Sequence, residues 1–147
     1  MDESGFAHDM PRTHGYAKRG RRCYGTHNWQ EKGRVNAIGA IVSFKLLAVG
    51  LFDCSVNSDV FYAWLTQTLI PVLPKNAVVV MDNATFHKRQ DMIEAIENAG
   101  ATAEFLPPYS PDLNPIEKKW AQIKNIKKLF MCSVDFLFSK LLRYDFL

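Results

Sequence analysis

Residues 35–42 and 46–52 are two apolar blocks parted only by Ser43, Phe44 and Lys45. Runs of strand length with so short a polar break predict an antiparallel hairpin with both strands largely buried. Asn57, Ser58 and Asp59 then offer helix caps, and Val60, Phe61, Trp64, Leu65, Thr68 and Leu69 recur at helical spacing until Pro71 and Pro74 end the run. Residues 77–82 are continuously apolar up to Asp82, the pattern of an interior parallel strand with an acid at its C-terminal edge. That edge is where open α/β sheets place ligands. A second helix over 88–99 puts Met92, Ile93 and Ile96 on one face and stops at Gly100, and 101–106 is a further short strand. Pro107, Pro108, Tyr109, Ser110 and Pro111 can propagate neither a helix nor an interior ladder, so they form a stiff loop. Asn114 is a good N-cap, and Pro115 fits the first helical position, where its missing N–H costs nothing. Ile116, Trp120, Ile123, Ile126 and Phe130 make the apolar stripe of that helix, with its lysines mostly away from the stripe. A last amphipathic helix over 133–144 turns Phe136, Leu137 and Leu141 inward.

This order of elements predicts a single α/β domain over 1–147 with a mixed sheet flanked by helices. A chain of 147 residues, 48% of them hydrophobic, can bury one core and is short for two. No apolar stretch approaches the ~20 residues of a membrane span, and the acidic start is unlike a secretion signal, so a cytoplasmic protein is expected. Cys23, Cys54 and Cys132 are odd in number and widely spaced, without the paired spacing of a disulfide framework or zinc ligands, which favours buried or incidental thiols.

The net charge of +3 is unevenly spread. Residues 7–34 carry Arg12, Lys18, Arg19, Arg21, Arg22, Lys32 and Arg34 against Asp9 and Glu31, and residues 113–130 carry Lys118, Lys119, Lys124, Lys127 and Lys128 against Glu117. Two basic segments on an otherwise acidic domain match a binder of phosphate backbones, although a solvated loop and the polar face of a helix would have the same composition.

Three separated acids are candidates for divalent-metal chemistry, because magnesium and manganese prefer hard oxygen ligands. Asp82 ends an apolar strand, where a charge is of little use for packing, and Asn83 beside it could position water; the competing reading is an Asp-Asn turn that caps the next helix. Glu117 fits both a catalytic role and a capping box with Asn114, in which the Glu returns a bond to the cap residue's N–H. Asp2 fits a solvated terminus as well as a ligand. His87, five residues past Asp82, is either a site contact or a helix-start histidine, and His8, His14 and His27 lack ligand spacing.

Taken together, Asp2-Glu3-Ser4-Gly5-Phe6, Met81-Asp82-Asn83-Ala84 with His87, and the run from Pro107 through Tyr109-Ser110-Pro111 and Asn114-Pro115-Ile116-Glu117 to Trp120 resemble the catalytic domain of mariner-like DDE transposases. The similarity is greatest to the bacterial insertion-sequence branch, whose second and third acids are also separated by 34 residues, as Asp82 and Glu117 are here. The resemblance implies a ribonuclease H-like fold in which Asp2, Asp82 and Glu117 bind two Mg²⁺ ions, with Mn²⁺ as the substitute. It further implies in-line cutting of transposon-end phosphodiesters and joining of 3′-hydroxyls to target DNA without a covalent enzyme intermediate. Asn83, His87 and Asn114 would be auxiliary; Arg12, Lys18, Arg19, Arg21, Arg22, Arg34, Lys118, Lys119 and Lys124 would hold DNA. The expected setting is the bacterial nucleoid, with a homodimer or an upstream transposase half as protein partner.

Two departures from the family pattern stand out. No helix-turn-helix pattern for end recognition is read in these residues, and the first central strand is expected to be largely missing, since only Met1 precedes Asp2 where a strand should lead into it. The alternative expectation is therefore an inactive truncated remnant that acts as a DNA-binding or regulatory partner of full-length transposase.

Overall fold

The computed structural model describes residues 1–8, 15–24 and 33–144. Strands β1 (Asp2–Ala7), β2 (Arg34–Val42) and β3 (Lys45–Phe52) form an antiparallel sheet in that order. The hairpin turns at Ser43 and Phe44, both at positive φ, and a register shift at Ala40/Ile41 twists its end. Helix α1 (Ser58–Trp64) follows, with Asn57 Oδ1 accepting from the N–H groups of Asp59 and Val60 at 3.1 and 2.9 Å, as its cap sequence predicts. The helix continues as a wider turn over Leu65–Leu69 and a tight turn over Ile70–Val72 that ends in the proline region.

Strand β4 (Val78–Met81) pairs in parallel with β5 (Thr102–Phe105), and helix α2 (Gln90–Asn98) makes the crossover between them. A single tight turn over Thr85–Lys88 precedes α2, so the helix starts later than its sequence predicts. Gly100, at φ 77°, supplies the left-handed residue that closes it. Helix α3 (Pro115–Phe130) and helix α4 (Val134–Tyr144) complete the chain, with the reversal between them made by Met131 at φ 50°.

The fold is the expected ribonuclease H-like α/β arrangement, divided into an antiparallel trio and a parallel pair, but the first strand, expected to be largely missing, is present as β1. The two parts meet at the start of β1, where the Met1 amino group donates to the Val80 carbonyl on β4 at 2.6 Å. Strand β1 does not lead into Asp2 but begins with it, and all six of its residues are in register with β2, from Asp2 opposite Gly39 to Ala7 opposite Arg34. The acid is thus anchored from the ladder that follows it. Because side chains alternate across a strand, Asp2 and Phe6 project to one side of the sheet and Glu3 to the other.

Each side has its own core. On one, Phe6, Val35 and Ala37 pack against Ile116, Trp120 and Ile123 of α3 and Val134, Leu137 and Phe138 of α4. The Phe6 ring meets the Trp120 and Phe138 rings edge-on, at centroid distances of 6.0 and 5.3 Å. On the other, Ile38, Ala40 and Ala48 pack with Phe61, Trp64, Leu65 and Leu69, and with Val79, Met81, Met92 and Ile96.

Several side chains depart from the periodicity. Phe138, not Phe136, is buried on α4, while Phe136 and Phe130 are exposed. Lys119 and Lys127 are buried on the apolar side of α3, and Lys127 Nζ donates to the His8 carbonyl at 2.8 Å. A lysine stem is as apolar as its neighbours, so the stripe can include lysines whose ammonium finds an acceptor. Strand β3 is only half-buried, and Val78 on β4 is exposed, so neither is a fully interior strand. Cys23 and Cys54 are exposed, whereas Cys132 is partly buried and packs against the core formed with α3 and α4.

Candidate active site

Three elements bring the candidate acids to one place. Asp2 opens β1, Asp82 follows the last residue of β4, and Glu117 lies in the first turn of α3. All three line a single cleft of about 440 Å³ together with Asn83, Ala84, Lys88, Asn114 and the loop from Leu106 to Pro111. The cleft lies beyond the C-terminal end of β4, at the sheet edge where α/β folds place ligands.

The Asn114 capping box does not form. The Asn114 side chain makes no bond to the helix start; its Nδ2 instead donates to the Met1 carbonyl at 3.3 Å, and the residue is buried. The Asn114 N–H is already given to the Pro111 carbonyl at 2.9 Å. The tight turn over Pro111–Leu113 thus takes the donor that Glu117 would have bonded, and Glu117 is exposed to the cleft.

Asp82 is held through one oxygen. Its Oδ1 accepts from the Ala84 N–H at 3.1 Å and lies 2.5 Å from His87 Nδ1, while Oδ2 takes no hydrogen bond among the described residues. Asp82 thus makes the local turn without capping the helix that follows, and His87 lies behind Asp82 rather than among the residues that line the cleft. His87 is fully buried, its ring stacked at a tilt on Phe61 with centroids 4.5 Å apart, and its Nε2 lies 2.8 Å from Glu3 Oε1. Burial alone would lower the imidazole pKa, but the bonds and charges of Glu3 and Asp82 outweigh it and raise the value.

Asp2 is buried, and its pKa is raised to about 7, first by desolvation and then by the negative charges of Glu117 and Glu3. A carboxyl so destabilised as an anion, facing two others, marks a place where positive charge is wanting. The Oδ1 atom of Asn83, buried on the same wall, has no hydrogen-bond partner among the described residues. Hard oxygen donors, a shortage of cations and an unmatched acceptor fit a divalent ion. Among the described residues no three His, Cys, Asp or Glu side chains are gathered closely enough to enclose one ion. The exposure of Glu117 and half-exposure of Asp82 leave both carboxylates room to close on it.

Lys18, Arg19, Arg21 and Arg22 are exposed in a stretch shaped by a turn from Lys18 to Arg21 with Gly20 at φ 82°. Arg12 lies outside the described residues. Arg34 is exposed on β2 with its side chain lying across Gly5. On α3, Lys118 is exposed, Lys124 lies over the Phe6 ring at 5.6 Å, and Lys119 is buried. Periodicity and motif spacing single out neither Glu3 nor Lys88. The available signal for Glu3 is its position next to Asp2 in a strand, which sends it to the opposite side of the sheet, where His87 lies.

A family model described as DDE superfamily endonuclease matches residues 1–131. No curated protein matches the sequence significantly. Among solved structures, the fold is similar to "Mos1 transposase paired-end complex with left transposon end", with a TM-score of 0.69, 17% identity, and coverage of 86% of this chain and 40% of that one. It is also similar to "Crystal structure of the Mos1 Strand Transfer Complex", with a TM-score of 0.58, 18% identity, and coverage of 76% and 35%. The chain thus spans less than half the length of the transposase chains it matches, and no helix among its described residues is long and apolar enough to cross a membrane. With the family model covering most of its length and the three acids in one cleft, this chain belongs to the DDE superfamily endonucleases.

Proposed function

We propose that this domain is the catalytic core of a DNA transposase, which cuts transposon-end phosphodiesters and joins the 3′-hydroxyl ends to target DNA, with two Mg²⁺ ions held by Asp2, Asp82 and Glu117. The observation that carries the proposal is the convergence of these acids, from three separated segments, on one cleft at the end of β4. The neighbouring solved structures are titled as a paired-end complex with a transposon end and a strand transfer complex, which supports DNA as the substrate here. When bound, a pair of divalent ions supplies Lewis-acid stabilisation of an in-line displacement at phosphorus and an activated nucleophile.

The protein's own part is to hold and orient. Asp82 presents Oδ2 because Oδ1 is occupied by Ala84 and His87. Asp2 is fixed by the β1–β2 ladder, and the carbonyl just before it is held by Asn114. Glu117 rides on the first turn of a 16-residue helix anchored by Trp120. The proline loop forms one wall of the cleft, and Lys88 adds a cation to its lining. Lys18, Arg19, Arg21, Arg22 and Lys118 supply backbone contacts that give affinity without reading sequence.

The purified domain should nick supercoiled plasmid DNA in Mg²⁺ or Mn²⁺ and not in EDTA. Asp82→Asn and Glu117→Gln should each abolish nicking, and nicking that survives both would remove these residues from the reaction.

A further inference from the structure

The cleft accounts for Asp2, Asp82 and Glu117 but leaves Glu3 unexplained. It is a carboxylate on the opposite side of β1, its side chain 20% exposed, with Oε1 2.8 Å from the buried Nε2 of His87. The same imidazole reaches Asp82 Oδ1 through Nδ1 at 2.5 Å. Glu3, His87 and Asp82 therefore form a continuous line from one side of β1 to the end of β4, across 84 residues of sequence at its longer step. Phe61 covers the ring at a centroid distance of 4.5 Å, so the imidazole is packed as well as bonded.

We infer that Glu3 is a positioning residue, which fixes the His87 ring so that Nδ1 meets Asp82 Oδ1 and Oδ2 is presented to the cleft. A side chain with two polar ring atoms in an apolar setting has two flip states about its terminal torsion. Only one of them points Nδ1 at Asp82 while Nε2 has an acceptor, and Glu3 makes that state the favoured one. Without Glu3, the buried Nε2 loses its partner and the ring loses the contact that distinguishes the two states. The Ala84 N–H would then be left to orient Asp82. Groups of this kind, one step removed from a ligand, characteristically change metal affinity 10–100-fold.

This inference rests on the proposed metal role of Asp82, so its test has one arm that needs no metal. In ¹⁵N-labelled protein, the His87 Nδ1–H proton should appear as a protected, downfield resonance correlated with its ring nitrogen. Glu3→Ala should broaden or abolish it, and Glu3→Gln, which keeps an oxygen acceptor at the same reach, should retain it. In the second arm, Mn²⁺ affinity measured by calorimetry should fall about 10-fold or more in Glu3→Ala and recover substantially in Glu3→Gln. Thermal melts of both variants show whether the fold survives. An unchanged His87 resonance in a folded Glu3→Ala protein would overturn the inference, as would unchanged Mn²⁺ affinity. Should wild type bind no Mn²⁺, the metal reading of the cleft fails by itself, and the resonance still decides whether Glu3 orients His87.

Discussion

Asn114 holds the carbonyl of Met1 through a 3.3 Å hydrogen bond from its side-chain amide, across 113 residues of sequence. The bond joins the residue before Asp2 to the residue before the helix of Glu117, so it couples the positions of the first and third acids. The same Asn-Pro pair that sequence suggests as a helix cap thus serves to join two elements of the cleft.

Replacing this amide should cost both stability and geometry. Asn114→Ala leaves a carbonyl without its donor at a buried position and should destabilise the fold by about 1–3 kcal/mol. Urea denaturation measures the loss. Divalent-metal affinity should fall in the same variant, whereas stability equal to wild type would show that the bond is immaterial.

Gly39 faces Asp2 across the β1–β2 ladder, and a Cβ built on it would lie 2.6 Å from Cη2 of Trp120. Trp120 is 1% exposed and packed in the core beneath α3, so the ring has little room to withdraw. Gly39→Ala should cost about 1–3 kcal/mol by overpacking and push the helix of Glu117 away from Asp2. Nicking should fall by more than the fraction unfolded explains, as comparison of melts with rates at low temperature would reveal.

The pH dependence of stability follows from Asp2. Its carboxyl titrates at about 7 in the folded chain against 3.8 ordinarily, so between these values the folded state holds a proton that the unfolded state has lost. Stability must then fall as pH rises through this window and level off above about pH 7. The difference corresponds to roughly 4 kcal/mol between the two protonation states. His87, with its raised pKa, acts in the same direction: its contribution is complete below about 6.5 and is lost as pH rises through the raised value. The Met1 amino group, lowered by burial, acts oppositely as pH rises towards 8.0. Asp2→Asn isolates the carboxyl: relative to this variant, the metal-free wild type should lose a few kcal/mol between pH 4 and pH 7.5. Parallel stability curves would contradict the assignment.

Exposed cations should make DNA binding salt-dependent without sequence preference. If Arg19, Arg21 and Arg22 each neutralise a phosphate, the triple alanine variant should reduce the slope of log K against log salt by roughly 0.9 per contact on duplex DNA. Fluorescence anisotropy over a salt series measures it, and an unchanged slope would place the DNA elsewhere.

Much of this architecture is legible in the sequence because its signals are local. The 35–52 hairpin, the Asn57 cap, the apolar run into Asp82 and the Pro115 helix start all depend on neighbouring residues, and each forms at or near its expected place. What sequence could not supply is partner choice across distance. Asn114 is a plausible cap until the turn at Pro111 takes its N–H and Met1 offers a carbonyl. Lys119 and Lys127 have the composition of a solvated face but lie on the buried side of α3, where stem packing outweighs the usual preference for water. Glu3 gains its role only from the fold, which brings β1 beside the turn that carries His87.

The central claim is that Asp2, Asp82 and Glu117 share a divalent-metal site, and anomalous diffraction from crystals soaked in Mn²⁺ tests it most directly. The account predicts anomalous density in the cleft within coordination distance of Asp82 and Glu117, with Asp2 completing the site and Asp82 ligating through Oδ2. A cleft empty at saturating Mn²⁺, or manganese bound only elsewhere on the chain, would contradict it.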